Sequence, residues 1–190
     1  INVGDEFVLT IDKNRRRLIE RNHSATHLLQ AALDKVLDES INQAGSFVCD
    51  EYVHFDFNYD KKITKEEIET IEKEVNEMII SSIDEETLIL DIEDAKKIGA
   101  KALFDEKYGD IVRVVTMGDV SKEFCGGCHV SNTNEIGLLK IVSEESIGSG
   151  IRRITAKTGM AAYNEFKEEE KTLKAASAHL KMKTVVGVDT

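Results

Sequence analysis

Proline is missing from all 190 residues, where average usage is about 5%. No proline-rich linker divides the chain, so any boundary has to be sought in charge and periodicity. Cysteine is scarce at three residues, an odd, sparse set that argues against a secreted disulfide framework and for a reducing, cytoplasmic setting. Basic residues are outnumbered 25 to 36 by acidic ones, for a formal charge of −11. That excludes a protein that coats nucleic acid by bulk charge and leaves room only for local basic patches. No run approaches the roughly 18 apolar residues of a membrane span, and no charged-then-apolar start reads as a signal peptide. Repeats and low-complexity tracts are absent. What is there is 41% apolar and 32% charged, the balance of a soluble globular protein able to bury a core of its own. The chain starts at Ile1 without a methionine, as expected of a piece of a longer protein.

Periodicity supplies the elements. Gly4 to Asp12 alternates at Phe7, Leu9 and Ile11 and predicts a short strand. Asn22 is a good N-cap type, and Ala25, Leu28, Leu29, Ala32, Leu33, Val36 and Leu37 recur three and four apart, predicting a helix from residue 22. Gln43-Ala-Gly-Ser46 reads as a turn, followed by alternation at Val53, Phe55 and Phe57. Thr64 with Glu67 forms a capping box ahead of the stripe Ile68, Ile71, Val75, Met78 and Ile79, whose Glu and Lys run is a solvated face. Strands are expected at 88–92, 111–116, 137–143 and 151–156, with a short helix near 94–98. After Gly159 the pattern turns helical to about Lys181, with Phe166, Leu173 and Leu180 seven apart and Tyr163 on the same seam. That seam serves either packing on its own domain or a partner, including a second copy of the chain. The mixed order, without βαβ alternation, predicts an α+β fold with a largely antiparallel sheet packed with helices.

Two segments carry chemistry. In His23-Ser-Ala-Thr-His27 the histidines are one helical turn apart and can meet one metal ion. At 100° per residue they fall near 0° and 40°, while the aliphatic stripe centres near 210°. They lie opposite the core face, so the alternative is two histidines on a wet surface. The second segment is Phe124-Cys-Gly-Gly-Cys-His129. It can be read as a C-x-x-C redox pair, as the C-x-x-C-H of covalent haem, or as Cys125 and His129 ligating zinc. Haem attachment wants export, and a thioredoxin-like site wants a helix opening that Gly126, Gly127 and Val130 do not favour. Neither gives His23 and His27 any work. Together the segments offer His23, His27, Cys125 and His129, an N/S donor set suited to tetrahedral zinc. The paired glycines let the backbone turn and let a ligand approach it closely.

These residues stand in a wider pattern. Arg21-Asn-His-Ser-Ala-Thr-His-Leu-Leu29, Gln43-Ala-Gly-Ser46, Phe55-Asp-Phe57, Ala102-Leu-Phe104 with Glu106-Lys-Tyr-Gly-Asp110, Cys125-Gly-Gly-x-His-Val130 and Gly150-Ile-Arg-Arg-Ile154 resemble, in order, the editing domain of alanyl-tRNA synthetases. The resemblance runs from about Val3 to Gly159, and its motifs are shared with free-standing alanyl-tRNA editing proteins and the threonyl-tRNA synthetase editing domain. It implies the common threonyl/alanyl editing-domain fold with a C-terminal helix. The division it implies is 1–20 as the end of a preceding β segment, 21–159 as a zinc-dependent editing domain and 160–190 as a helical linker to a further domain. It implies a deacylase that hydrolyses the ester of Ser- or Gly-tRNA(Ala), a second sieve needed because an alanine pocket cannot strongly reject glycine or an added hydroxyl. By the same carry-over His23, His27, Cys125 and His129 bind Zn2+, Gln43 is a catalytic-site residue, and Gly126 and Gly127 admit the terminal adenosine. Cys128 stands where the family usually has threonine, either as a small replacement or as a competing ligand. Arg152 and Arg153 with Lys157, and Lys13, Arg15, Arg16, Arg17 and Arg21, are the basic clusters available to the tRNA acceptor end; the alternative is surface charge balancing the acidic helices. A free-standing alanyl-tRNA editing deacylase is the nearest alternative, a non-catalytic zinc-stabilised RNA-binding module would share every ligand, and a c-type haem carrier is the remote reading.

Overall fold

The computed structural model describes residues 2–102 and 108–179. Leu103, Phe104, Glu106 and Lys107 of the family-like motif, and Leu180 of the helical seam, lie outside them. The chain order is α1 (Lys13–Leu37), β1 (Gln43–Val48), β2 (Val53–Asn58), α2 (Lys65–Ile80), β3 (Glu85–Asp91), α3 (Ile92–Lys97), β4 (Ile111–Met117), β5 (Ser121–Phe124), a 3-10 turn (Thr133–Ile136), β6 (Leu139–Gly148), β7 (Ile151–Thr158) and α4 (Gly159–His179). The strands form two sheets, β1-β2-β7-β6 and β3-β4-β5, antiparallel in every pairing of named strands. The fold is α+β as expected, with the sheet divided in two.

The larger sheet carries the core. Val53, Phe55 and Phe57 alternate onto its inner face beside Ile154 and Ala156, and Leu28, Leu29 and Leu33 of α1 with Ile71, Val75 and Ile79 of α2 cover them. The capping box is present: Glu67 donates its amide to Thr64 Oγ1 at 3.1 Å, and Thr64 N–H reaches Glu67 Oε2 at 2.7 Å. α2 also finishes the edge of the sheet. Asn76 accepts from the Leu139 amide and donates to its carbonyl, both at 2.9 Å, and Glu72 accepts from the Ile141 amide at 2.7 Å. Groups on β6 that would otherwise face an open edge are thereby satisfied. In the smaller sheet, Val112, Val114 and Phe124 turn one face toward Ala95 of α3. Alternation turns Arg113, Val115 and Glu123 the other way.

Three sequence expectations fail for identifiable reasons. Residues 4–12 join no strand among the described residues, and Phe7 and Leu9 are exposed: alternation without a pairing partner makes no sheet. α1 starts nine residues before Asn22, capped by Asp12, whose carboxylate accepts from the amides of Asn14 and Arg15. It therefore crosses residues 20 and 21 unbroken. Asn22 is instead a buried tie whose side chain donates to the Cys49 carbonyl and accepts from Thr158 Oγ1, each at 2.7 Å. Gln43–Ser46 is not a turn but the start of β1, bent by a bulge between Gln43 and Gly45.

Candidate metal centre

α1 is buried on two sides. Its leucines face the larger sheet, and the face opposite, which bears the histidines, is covered by β5 and the loop from Cys125 to Val130. His27 is only 3% exposed as a result, so the wet-surface alternative for these histidines does not hold. The loop is fastened to the helix by Ser24, whose Oγ accepts from the Val130 amide at 3.1 Å and lies 3.1 Å from His129 Nδ1. Arg113 fastens it from the other side, donating to the carbonyls of Cys125 at 2.7 Å and Gly127 at 3.0 Å, and to Thr87 Oγ1 at 2.9 Å.

Segments about a hundred residues apart thereby converge. One ligand atom from each of His23, His27, Cys125 and His129 lies within 4.8 Å of the others. Cys125 Sγ is 3.6 Å from His23 Nε2 and 3.3 Å from His129 Nε2. A zinc tetrahedron with Zn–N of about 2.0–2.1 Å and Zn–S of about 2.3 Å has edges of about 3.3–3.6 Å; the two sulfur–nitrogen distances match such edges, and the donor set suits that ion in chemistry. The outward nitrogens are placed as metal-binding histidines require. His23 Nδ1 is 3.3 Å from the Cys128 carbonyl and His129 Nδ1 is at Ser24, while His27 Nδ1 is 3.5 Å from Glu123 Oε2.

Electrostatics favours uncharged imidazoles. Burial, the neighbouring rings and the Arg113 guanidinium hold His27 well below its usual range; burial first, with His23 and Arg113, takes His129 down to about 3; burial likewise lowers His23. Neutral nitrogens are the form that ligates a cation. Burial pushes the Cys125 thiol up and raises Glu123 to about 7.

Two spaces open from the cluster. A small one of about 50 Å³ is lined by Thr26, His27, Gln43, Ser46 and Cys125 among others. A wider cleft of about 470 Å³ lies along His23, Tyr108, Arg113, Gly126 and Gly127. Gln43 and the glycines are therefore beside the cluster. A side chain at Gly127 would collide with the His23 ring, whereas one at Gly126 would meet nothing within 4 Å. Cys128 is exposed, outside the four-donor cluster, and accepts from Arg16 at 2.8 Å. Arg152 and Arg153 are held on β7 by carboxylates, Arg152 by Glu144 and Arg153 by both oxygens of Asp56. In the other cluster Arg15 pairs with Asp50 and Arg17 with Glu20 and Glu135.

Sequence reasoning missed Ser24, Arg113 and Glu123. Ser24 sat inside the His-x3-His segment, and Glu123 two residues before Cys125. Reading β5 as a strand would have put residues 121, 123 and 125 on one face, but Ser-Lys-Glu-Phe has too little apolar pattern to announce one.

Comparison with known proteins finds similar sequences. Residues 112–155 match the model of the threonyl and alanyl tRNA synthetase second additional domain. Over 94% of its length the chain is 53% identical to an alanine–tRNA ligase of Streptococcus gordonii and 52% identical to those of Streptococcus pneumoniae. Over 95% it is 51% identical to that of Lactococcus lactis. It spans about a fifth of the length of these relatives. In sequence the chain is thus similar to a stretch of alanine–tRNA ligases, and within it residues 112–155 are similar to a domain that threonyl and alanyl tRNA synthetases share.

Proposed function

We propose that this chain hydrolyses the aminoacyl ester of mischarged Ser- or Gly-tRNA(Ala), as the proofreading part of an alanine-tRNA ligase acting in the cytoplasm. The observation that carries it is the juxtaposition of a three-histidine, one-cysteine cluster with a cavity of about 50 Å³ on one side and a cleft of about 470 Å³ on the other. The small space suits the side chain of glycine or serine; the wide one suits a terminal nucleoside against Gly126 and Gly127.

His23, His27, Cys125 and His129 would hold zinc, which would supply positive charge to polarise an ester or a water. The residues around it do the rest. Gln43, 9% exposed at the cavity wall, has an amide able to hold the substrate amine or a water. Arg113 keeps the loop carbonyls turned toward itself, which presents the Gly126–Gly127 backbone to the cleft. Neutral imidazoles leave the cluster with one thiolate, so cation and ligands together carry about +1 charge. Among the described residues Lys13 has no carboxylate partner and the Arg16 guanidinium bonds to Cys128 rather than to a carboxylate, so these two are the readier phosphate contacts. Arg152 and Arg153 would bind RNA by exchanging a carboxylate for a phosphate. A second copy of the chain would meet α4 at Tyr163, Phe166 and Leu173, all exposed.

The test is single-turnover deacylation of Ser-tRNA(Ala), Gly-tRNA(Ala) and Ala-tRNA(Ala), with Cys125→Ala as the control. The wild type clears the first two and spares the third. Cys125→Ala loses zinc and at least about a hundredfold in rate; unchanged hydrolysis without zinc removes the metal from the chemistry, and no hydrolysis by the zinc-loaded wild type leaves an RNA-binding module.

A further inference from the structure

Among the three histidines of the cluster, His27 is the most buried, and its outward nitrogen is the one without a hydrogen bond: Nδ1 is enclosed and unpartnered. A buried N–H without a partner is costly. The nearest acceptor is Glu123 Oε2 at 3.5 Å, a few tenths of an ångström beyond bonding distance.

Glu123 is itself anomalous. It is 3% exposed, and carboxylates are almost never that buried unless paired. Its Oε1 accepts from Ser121 Oγ at 3.0 Å, which leaves Oε2 for His27. The nearest ammonium, that of Lys101, is engaged by Asp34. The placement is built into the fold: β5 pairs Glu123 with Val115, the backbone of Lys101 bonds to Lys122 and Phe124 on either side, and alternation aims the side chain at α1. Cys125, two residues on, belongs to the same face.

We propose that Glu123 is a positioning residue for the metal centre: its Oε2 accepts the Nδ1 proton of His27, fixing the tautomer and ring orientation that present Nε2 to the cation. This rests on the metal-centre reading above. Outer carboxylates of this kind raise the basicity of the ligand and typically change metal affinity by about 10–100-fold when removed. The three histidines then have three different outward acceptors: a backbone carbonyl for His23, a hydroxyl for His129 and a carboxylate for His27.

The experiment is zinc titration of the full chain against a chromophoric chelator, comparing wild type with Glu123→Gln, which keeps the shape and removes the charge. The expected result is affinity at least about tenfold weaker in Glu123→Gln, partial recovery in Glu123→Asp, and no loss of thermal stability in the zinc-free Gln variant. A residue that only filled space would leave zinc affinity unchanged in the isosteric Gln variant. Equal zinc affinity in Glu123→Gln overturns the proposal by itself; a wild type that takes up no zinc overturns the metal reading and this proposal together. Should the variants fail to fold, long-range proton–nitrogen spectra of the zinc-loaded wild type decide the matter. The His27 proton belongs on Nδ1, and finding it on Nε2 overturns the assignment.

Discussion

At the scale of single residues, the two adjacent glycines of the Cys125–His129 loop do different work. Both were expected to admit substrate, but only Gly127 stands where an added Cβ would enter the His23 ring, in contact with its Cε1 and Nδ1. Gly126 faces open space, which is compatible with a ligand approaching the backbone there. Gly127→Ala should therefore push His23 out of the cluster, losing most of the bound zinc and with it deacylation. Gly126→Ala should keep its zinc and, if the cleft holds the nucleoside, raise KM for charged tRNA. Zinc content after gel filtration separates the two, and equal retention would mean that the loop yields freely to His23. The ligands themselves were legible from residue type and spacing, because i, i+4 histidines and Cys-x3-His are local patterns. Their supports were not: Ser24 to Val130 and Glu123 to His27 join residues 106 and 96 positions apart in sequence, and no local pattern records such a pairing.

At the scale of elements, legibility followed hydrophobic pattern. α2 and its capping box, β2 and β7 were readable because each alternates or repeats around one buried face, and β4 because its apolar run is buried on both. β5 was not, being four residues long and supported by its neighbours β4 and Lys101 rather than by its own composition. The first turns of α1 escaped for a related reason: Lys13 to Arg17 is polar all round, so the helix there follows from the Asp12 cap and from propagation of the buried part downstream. Polar residues also settle how elements meet. Asn76 makes both backbone bonds to Leu139 on the edge of the larger sheet, and Leu139 is fully buried. Asn76→Ala strands a buried amide and carbonyl, so we expect a loss of about 1–3 kcal/mol. Urea unfolding should show a lower midpoint at unchanged slope. A change under about 0.5 kcal/mol would mean that water or Glu72 replaces the amide.

At the scale of the whole molecule, the cluster is where the two sheets meet through α1, so its protonation bears on the entire fold. In the metal-free chain the histidines are depressed when folded, His129 to about 3, and stand near 6.5 when unfolded. Below about 6.5 the unfolded chain binds more protons at these sites, so the stability they lend is complete above that pH and drains away as pH falls toward the folded values. Glu123 acts in the opposite sense. Raised to about 7 by burial, it favours the fold below its unfolded value near 4.3 and loses that contribution as pH rises through 7. Three depressed imidazoles outweigh one raised carboxyl, so between pH 5 and 6.5 the net slope has the sign of the histidines, at most about 2–3 kcal/mol per pH unit. Denaturant midpoints of the chelator-treated chain at pH 7, 6 and 5 should fall in that order, and His129→Asn should flatten the series. A midpoint that rises on acidification would show that Glu123 outweighs the rings. Zinc should deepen the fall rather than shift its direction, since a bound cation competes with protons for the same nitrogens. Acid should therefore release the metal and loosen the smaller sheet from α1 over one pH range.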